Sequence, residues 1–452
     1  MNWKSTSGAT LRLAGPIIMG ELVQMALHII DAAMVGAVSY RHLAASSLAF
    51  GIITMPFVFG IGITIAIAQM SSLFKGLNDA QKVSHYFFNG MFISICTAIG
   101  ISLGIYFGSD IVFHLGQDHD VAVLAQPFLE LLAISLIPMI CFIACKQFAD
   151  GLEYTKVAMT ISIIGIPINA ALNWLLIFGN WGLPRLELNG AGWGTLITRT
   201  MMLAAMLVYL FRSPLFRKYW KVIRREWFLS WKTCKKLLHI GIPTAFQIVL
   251  EAGAFAISGI LVGLISAEAQ AAHQIAISIA SFTFMVSMGL SQACSIRISN
   301  AFGRRDGNAI SMIGKSTMVL AIGYGLFCAI FLSAFRHHLP MLFNDDPEVL
   351  YIASTLIIWA AVFQIPDATQ AIAAGALRGI RDVRVPTVYI ALGYWVFGVP
   401  LGYGLAFYLG WGASGIWIGF IISLGFVGVM LASRFIRSKV IMKLSQGRNG
   451  LS

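Results

Sequence analysis

Charge is what this sequence has least of: Asp, Glu, Lys and Arg make up 11% of 452 residues, against roughly 25% in an ordinary soluble domain. That deficit, with 58% hydrophobic residues, excludes a water-soluble fold. Negative charge is scarcer than positive, 19 residues against 31. Cysteine is also scarce. The six Cys have neither CxxC nor Cys/His ligand spacing, which argues against a thiolate metal centre and marks them as small buried hydrophobes. The chain has no HExxH, GxSxG or Walker motif, so it shows no enzyme constellation and no ATP site. Ion gradients are left as the energy source. A short hydrophobic region followed by a cleavage site is missing as well, and the first apolar segment is expected to stay with the chain.

What is present is a set of apolar runs of membrane-spanning length, at 10–38, 46–74, 84–108, 122–148, 157–180, 190–212, 235–263, 268–298, 309–335, 348–376, 385–410 and 412–435. An all-α integral membrane fold of twelve transmembrane helices follows. If the N-terminus lies inside, 27 of the Lys and Arg fall in or beside inside loops, against Arg41, Arg185, Arg199 and Arg336. This asymmetry predicts cytoplasmic termini. Nine of the 27 lie in 212–236, which reads as an interfacial connector on anionic lipid rather than a nucleic-acid patch.

The chain repeats itself. At an offset of 227, Pro16 meets Pro243, Gly36 meets Gly263, Gly62 meets Gly289, Gly76 meets Gly303 and Asp79 meets Asp306. After one inserted residue, Gly151 meets Gly379 and Gly165 meets Gly393. Six helices per copy is an even number, so both copies enter from the same side as parallel repeats, with a site expected near the midplane. The expected division is a six-helix lobe at 1–213, a cytoplasmic linker at 214–234, a second six-helix lobe at 235–436 and a tail at 437–452. The 44 Gly suit closely packed membrane helices, and prolines such as Pro16, Pro243, Pro366 and Pro400 suit kinked ones.

Within the apolar runs, the few charges stand out. Glu251 sits in the middle of 241–263 with Gln247 and Ser258 on its helix face. An ionised carboxylate there costs about 2.5–3.5 kcal/mol on insertion scales, so the face should look into protein. In the tenth run Asp367 follows Pro366, with Phe363 and Gln370 on the same face. The proline also frees the carbonyl of Val362. In the first run Glu21, Gln24, His28 and Asp31 form a stripe, and Gln24 is the repeat partner of Glu251. Such an acid and His placed together suit a proton relay. Asn169 and Asn173 form an i, i+4 pair in the fifth run. Phe284, with Phe282, Met285 and Met288, suits a pliable apolar pocket. Arg199 and Glu130 are further intramembrane charges with no partner evident from sequence.

Taken together, the 6+6 repeat, the paired segments GLSQACSIRISNAFGRRD and GITIAIAQMSSLFKGLNDAQ, and AAHQIAISI, GALRGIRD and GAGWGT resemble the multidrug and toxic compound extrusion (MATE) transporters over essentially the whole chain. The chain looks most like the NorM branch, which carries one acid on helix 7 and another on helix 10. Glu251 and Asp367 stand at those positions, and the resemblance implies that they bind the coupling cation, Na⁺ or H⁺. Phe284 falls at that branch's helix-8 aromatic. Two departures are visible: the usual helix-10 Tyr is Phe363, and the helix-5 Asp of the DinF branch is Asn173, although Asp31, Asn169 and Thr195 match that pattern.

The resemblance implies a cation-coupled antiporter of the bacterial cytoplasmic membrane, exporting organic, mostly cationic and amphipathic compounds by alternating access. Glu251 and Asp367 would hold the cation, as metal ligands if it is Na⁺. Gln247, Phe284, Phe363 and Gln370 would line the substrate cleft, with Asp31, Asn169, Asn173, Gln24 and His28 as a first-lobe polar site. No cofactor, nucleic acid or obligate protein partner is expected. The alternatives are a lipid-linked precursor flippase, whose cavity is typically basic and whose helices are more numerous, or a channel or multipass enzyme, for which no filter or nucleophile is visible.

Overall fold

The structure is a computed structural model that describes residues 3–116, 118–221 and 226–449. Parts of the basic connector, at 222–225, and of the tail, at 450–452, lie outside the described residues. Twelve helices are long and apolar enough to cross a membrane: α1 Trp3–Gly36, α2 Tyr40–Gly76, α3 Ala80–Phe107, α4 His119–Gly151, α5 Thr155–Phe178, α6 Glu187–Arg212, α7 Trp231–Gly263, α8 Ala267–Gly303, α9 Gly307–Ala334, α10 Pro347–Gly379, α11 Arg384–Tyr408 and α12 Gly412–Ile436. A further helix, α13 Lys439–Asn449, follows. Several helices start before the apolar run does, because polar caps set their ends. α2 begins at Tyr40 rather than near 46 since Ser39 accepts a hydrogen bond from the His42 amide.

The repeat is written into these ends. Ser266, the counterpart of Ser39, caps α8 through the Ala269 amide. Asp79 and Asp306 cap α3 and α9 alike, through the amides of Lys82 and Ala309. Asn78 and Arg305 enter those caps with left-handed backbones at φ 59° and 55°. After the one-residue insertion, Glu153 and Arg381 repeat the device at φ 68° and 64°.

α11 departs from regular winding. Pro400 lacks the amide that would bond the Val396 carbonyl, and the chain widens into π turns at Leu392–Gly398 and Gly404–Tyr408. The Gly393 carbonyl, in the first of these turns, accepts a hydrogen bond from Ser423 Oγ on α12.

Packing divides the chain into two compact units, and the division differs from the lobe boundaries expected from the repeat. One unit is Met19–Ala245; the other joins the chain up to Ile18 to the chain from Phe246 onward. The first halves of α1 and α7 thus pack with the opposite repeat, and each break comes just after the equivalent prolines Pro16 and Pro243. Two equivalent glycines permit this. A Cβ at Gly62 of α2 would stand 2.7 Å from the Ala245 amide nitrogen of α7, and one at Gly289 of α8 would stand 3.1 Å from that of Ile18 of α1. In the Met19–Ala245 unit the core intersperses alanines, including Ala45, Ala49, Ala122, Ala125 and Ala133, with bulky residues such as Phe128, Leu129 and Leu132, so close approach of helices is combined with side-chain packing.

Candidate functional site

Each unit contains an internal pocket lined by the polar residues of its helices, and the two differ in size and charge. In the unit from Phe246 onward, α7, α8, α10 and α12 enclose a pocket of about 260 Å³. Its walls are Ile248, Ala252, Phe255, Ile277, Ala280, Phe284, Phe363 and Trp417, with Glu251, Asp367 and Ser281 as the polar lining. Asp367 is only 1% exposed, yet its Oδ1 has no hydrogen-bond partner. A buried acceptor left without a donor costs about 1–3 kcal/mol. Glu251 and Asp367 also act on each other electrostatically. The pocket therefore presents an unmet demand for positive charge or protons.

Glu251 is held by a residue that the sequence reading passed over. Tyr394 is fully buried, and its hydroxyl lies 3.1 Å from Glu251 Oε1 and 3.0 Å from Gln370 Oε1. A phenol carries one proton and donates once. If it donates to Glu251, Gln370 must turn its amide nitrogen toward Tyr394; if Glu251 is a carboxylic acid, it donates to Tyr394 and Tyr394 donates to Gln370. A proton on Glu251 would thus reverse the hydrogen bonds that reach α10. Tyr394 belongs to the widened Leu392–Gly398 turn of α11, and π turns recur at functional sites.

The other expected residues of this half distribute as follows. Phe284 and Phe363 line the pocket; Phe363 packs edge-on against Phe255 and Trp417 at 5.8 and 5.7 Å between ring centroids. Gln370 is buried against Tyr394. Gln247 is tied to the start of α11, donating to the Val383 carbonyl at 3.1 Å and to Thr387 Oγ1 at 3.0 Å, so it positions α11 rather than lining the pocket. Ser258, on the same face, belongs to a closed chain: Trp417 Nε1 donates to His273 Nδ1 at 3.1 Å, which leaves the proton on Nε2 to be donated to Ser258, whose hydroxyl donates to the Phe255 carbonyl. That chain fixes the pocket's Trp417 wall.

In the Met19–Ala245 unit, Gln24, His28, Asp31, Asn169, Thr195, Thr198 and Arg199 line a pocket of about 20 Å³, together with Leu27, Met139 and Met202. One water needs about 10–15 Å³ by such a measure, so the space suits a water or bare ion and no organic molecule. Asp31 accepts from Asn173 Nδ2 at 2.6 Å and from Thr195 Oγ1 at 3.4 Å. Asn173 also reaches Asn169 Oδ1 at 3.4 Å. His28 packs edge-on to Phe50 at 5.4 Å. The expected first-helix stripe is split: Gln24, His28 and Asp31 share the pocket, whereas Glu21 pairs with Lys146 of α4 at 2.6 Å. Glu130 accepts from Ser109 Oγ at 3.0 Å. Among the described residues no three or more His, Cys, Asp or Glu side chains are grouped as a metal cluster, and a cation in the larger pocket would rely on two carboxylates and neutral oxygens.

The MatE family model matches residues 16–175 and 243–404, one copy on each half of the repeat. The probable multidrug resistance protein NorM of Mesorhizobium japonicum is 33% identical over 442 residues, covering 96% of this chain and 94% of that protein. Its counterpart in Bradyrhizobium diazoefficiens is 33% identical over 431 residues, covering 94% and 92%. Among solved structures, the eukaryotic MATE transporter AtDTX14 shares the fold with a TM-score of 0.88 at 21% identity, covering 100% of both chains. An outward-facing multidrug resistance MATE family transporter gives 0.89 at 17% identity, covering 98% of this chain and 97% of that one. Twelve membrane-spanning helices, a double repeat and near full-length likeness make this chain a member of the MatE family, a multi-pass membrane transporter and not an enzyme.

Proposed function

We propose that this protein is a cation-coupled multidrug antiporter exporting organic, mostly cationic and amphipathic compounds, with Glu251 and Asp367 as its ion site. The observation that carries this reading is the buried, unpartnered Asp367 oxygen beside Glu251 in an aromatic and aliphatic pocket. Such a pocket favours a positive group for its charge and an apolar body for its walls. At about 260 Å³ it lies just under the roughly 300 Å³ lower bound of small-molecule pockets, enough for a cationic head and one ring. Na⁺ or H⁺ meets the same demand. Occupancy by ion and by drug is then mutually exclusive, and each lowers the affinity for the other by the same factor. The relatives' designation as multidrug resistance proteins supports the drug side. A precursor flippase would need to hold a phosphate, which two carboxylates repel.

In this reading the chain sits in the bacterial cytoplasmic membrane with both termini in the cytoplasm, as the basic loops require. Two six-helix lobes alternate access, and the potential contributes about 2.3 kcal/mol per charge per 100 mV to ion entry. No cofactor or protein partner takes part. The test is drug efflux in proteoliposomes driven by a Na⁺ gradient alone and then by a pH gradient alone. One gradient should drive efflux, and Glu251→Gln and Asp367→Asn should each lower its rate about tenfold or more. Unchanged efflux and ion dependence in both variants would rule the site out.

A further inference from the structure

The small pocket of the Met19–Ala245 unit contains a cation of its own. Arg199 stands one turn beyond Thr195 on α6, and both line the pocket with Asp31. Its Nη1 donates to Ser135 Oγ at 2.7 Å, and its Cζ lies 6.0 Å from the Phe57 ring centroid. Asp31 is hydrogen-bonded by Asn173 and Thr195. The two charges therefore share the pocket and interact electrostatically without a direct bond. A guanidinium does not lose its charge in a protein, so the formal sum over Asp31 and Arg199 is zero. The larger pocket has two carboxylates and no cation in its lining; Arg378, outside the lining, acts on Glu251 and leaves a formal sum of −1 over the three. The repeat counterpart of Asp31 is Ser258, which carries no charge.

We propose that Arg199 is a tethered counter-cation that occupies the electrostatic place of a transported ion beside Asp31, so that the first-half acid takes no coupling ion. The ion stoichiometry is then set by Glu251 and Asp367 alone. An entering Na⁺ would have to share about 20 Å³ with the field of a fixed positive charge on the pocket wall, where Coulomb repulsion at an intermediate dielectric weakens binding by roughly a hundredfold to a thousandfold. Arg199 is in this sense a specificity determinant: it makes a two-repeat protein a one-site machine. The inference rests on the cation-coupled reading, and its test separates the two.

Binding of radiolabelled Na⁺ and proton uptake are measured on the full chain in detergent, in the wild type and in a Glu251→Gln, Asp367→Asn background. Loss of binding in that background tests the coupling reading by itself. Within the same background, Arg199→Gln should create ion binding at least tenfold tighter than with Arg199 present. The new binding should disappear on adding Asp31→Asn, and Arg199→Lys, which keeps a tethered charge, should not create it. In an otherwise wild-type chain, Asp31→Asn alone should leave the number of bound ions unchanged, a measurement that does not depend on how Arg199→Gln folds. Asp31-dependent binding with Arg199 in place, or no new binding in a folded Arg199→Gln chain, would overturn the proposal.

Discussion

Tyr394 shows how much of a candidate site can hide in an apolar stretch. Its segment, LGYWVFG, reads as packing, since an aromatic residue in a membrane helix is ordinary, and only the widened turn of α11 brings the hydroxyl between Glu251 and Gln370. Carboxylates such as Glu251 and Asp367 were legible because charge in an apolar run is costly wherever the fold puts it. The partners were not: Lys146 and Glu21 are far apart in sequence, as are Arg199 and Ser135, and no periodicity links one helix to another. Tyr394→Phe removes the hydroxyl that bridges Glu251 of α7 and Gln370 of α10 while leaving the ring packed. A hydrogen bond to a charged group is worth about 1.5–3 kcal/mol and favours the ionised, ion-free carboxylate, so its loss should lower the half-saturating ion concentration for efflux by about tenfold. Proteoliposome transport against ion concentration reads this directly, and an unchanged half-saturation would remove Tyr394 from the site.

At the scale of elements, hydropathy located all twelve helices but placed several ends too far inside, because caps such as Ser39 and Asp306 are polar and invisible to an apolar run. The repeat, by contrast, was readable to the residue, since its markers are glycines and prolines whose backbone roles survive divergence of the side chains around them. Gly62 is the position where this matters most, with α7 backbone against it. Gly62→Leu should destabilise the protein by about 1–3 kcal/mol through overpacking. Gly51→Leu on the same helix, where nothing lies within 4 Å, should leave the melting temperature in detergent nearly unchanged. Thermal unfolding followed by tryptophan fluorescence compares the two; equal effects would mean that the α2 and α7 contact does not limit stability.

Over the whole molecule, twelve helices and two repeats were legible in composition and periodicity, whereas the partition into packing units was not. A repeat boundary records ancestry, and a packing boundary records which surfaces fit; at α1 and α7 they differ. Severing the connector after Lys221 tests the consequence. The two fragments produced together should assemble and restore drug resistance to a sensitive strain. Either fragment produced alone should fail to accumulate, since each lacks a helix half that the other's repeat supplies. Accumulation of one fragment alone as a folded species would contradict the division.

The same exchange of helix halves orders the protein's birth. The stretch ending at Ile18 leaves the ribosome well before its backbone neighbour, Gly289, which belongs to the eighth helix. That segment waits for its partner while six further helices are inserted. Its polar threonines, Thr6 and Thr10, meet Arg297 only then. Synthesis of the second repeat is thus also the completion of the first helix, and truncation anywhere before α8 leaves an unsatisfied N-terminus for quality control to recognise.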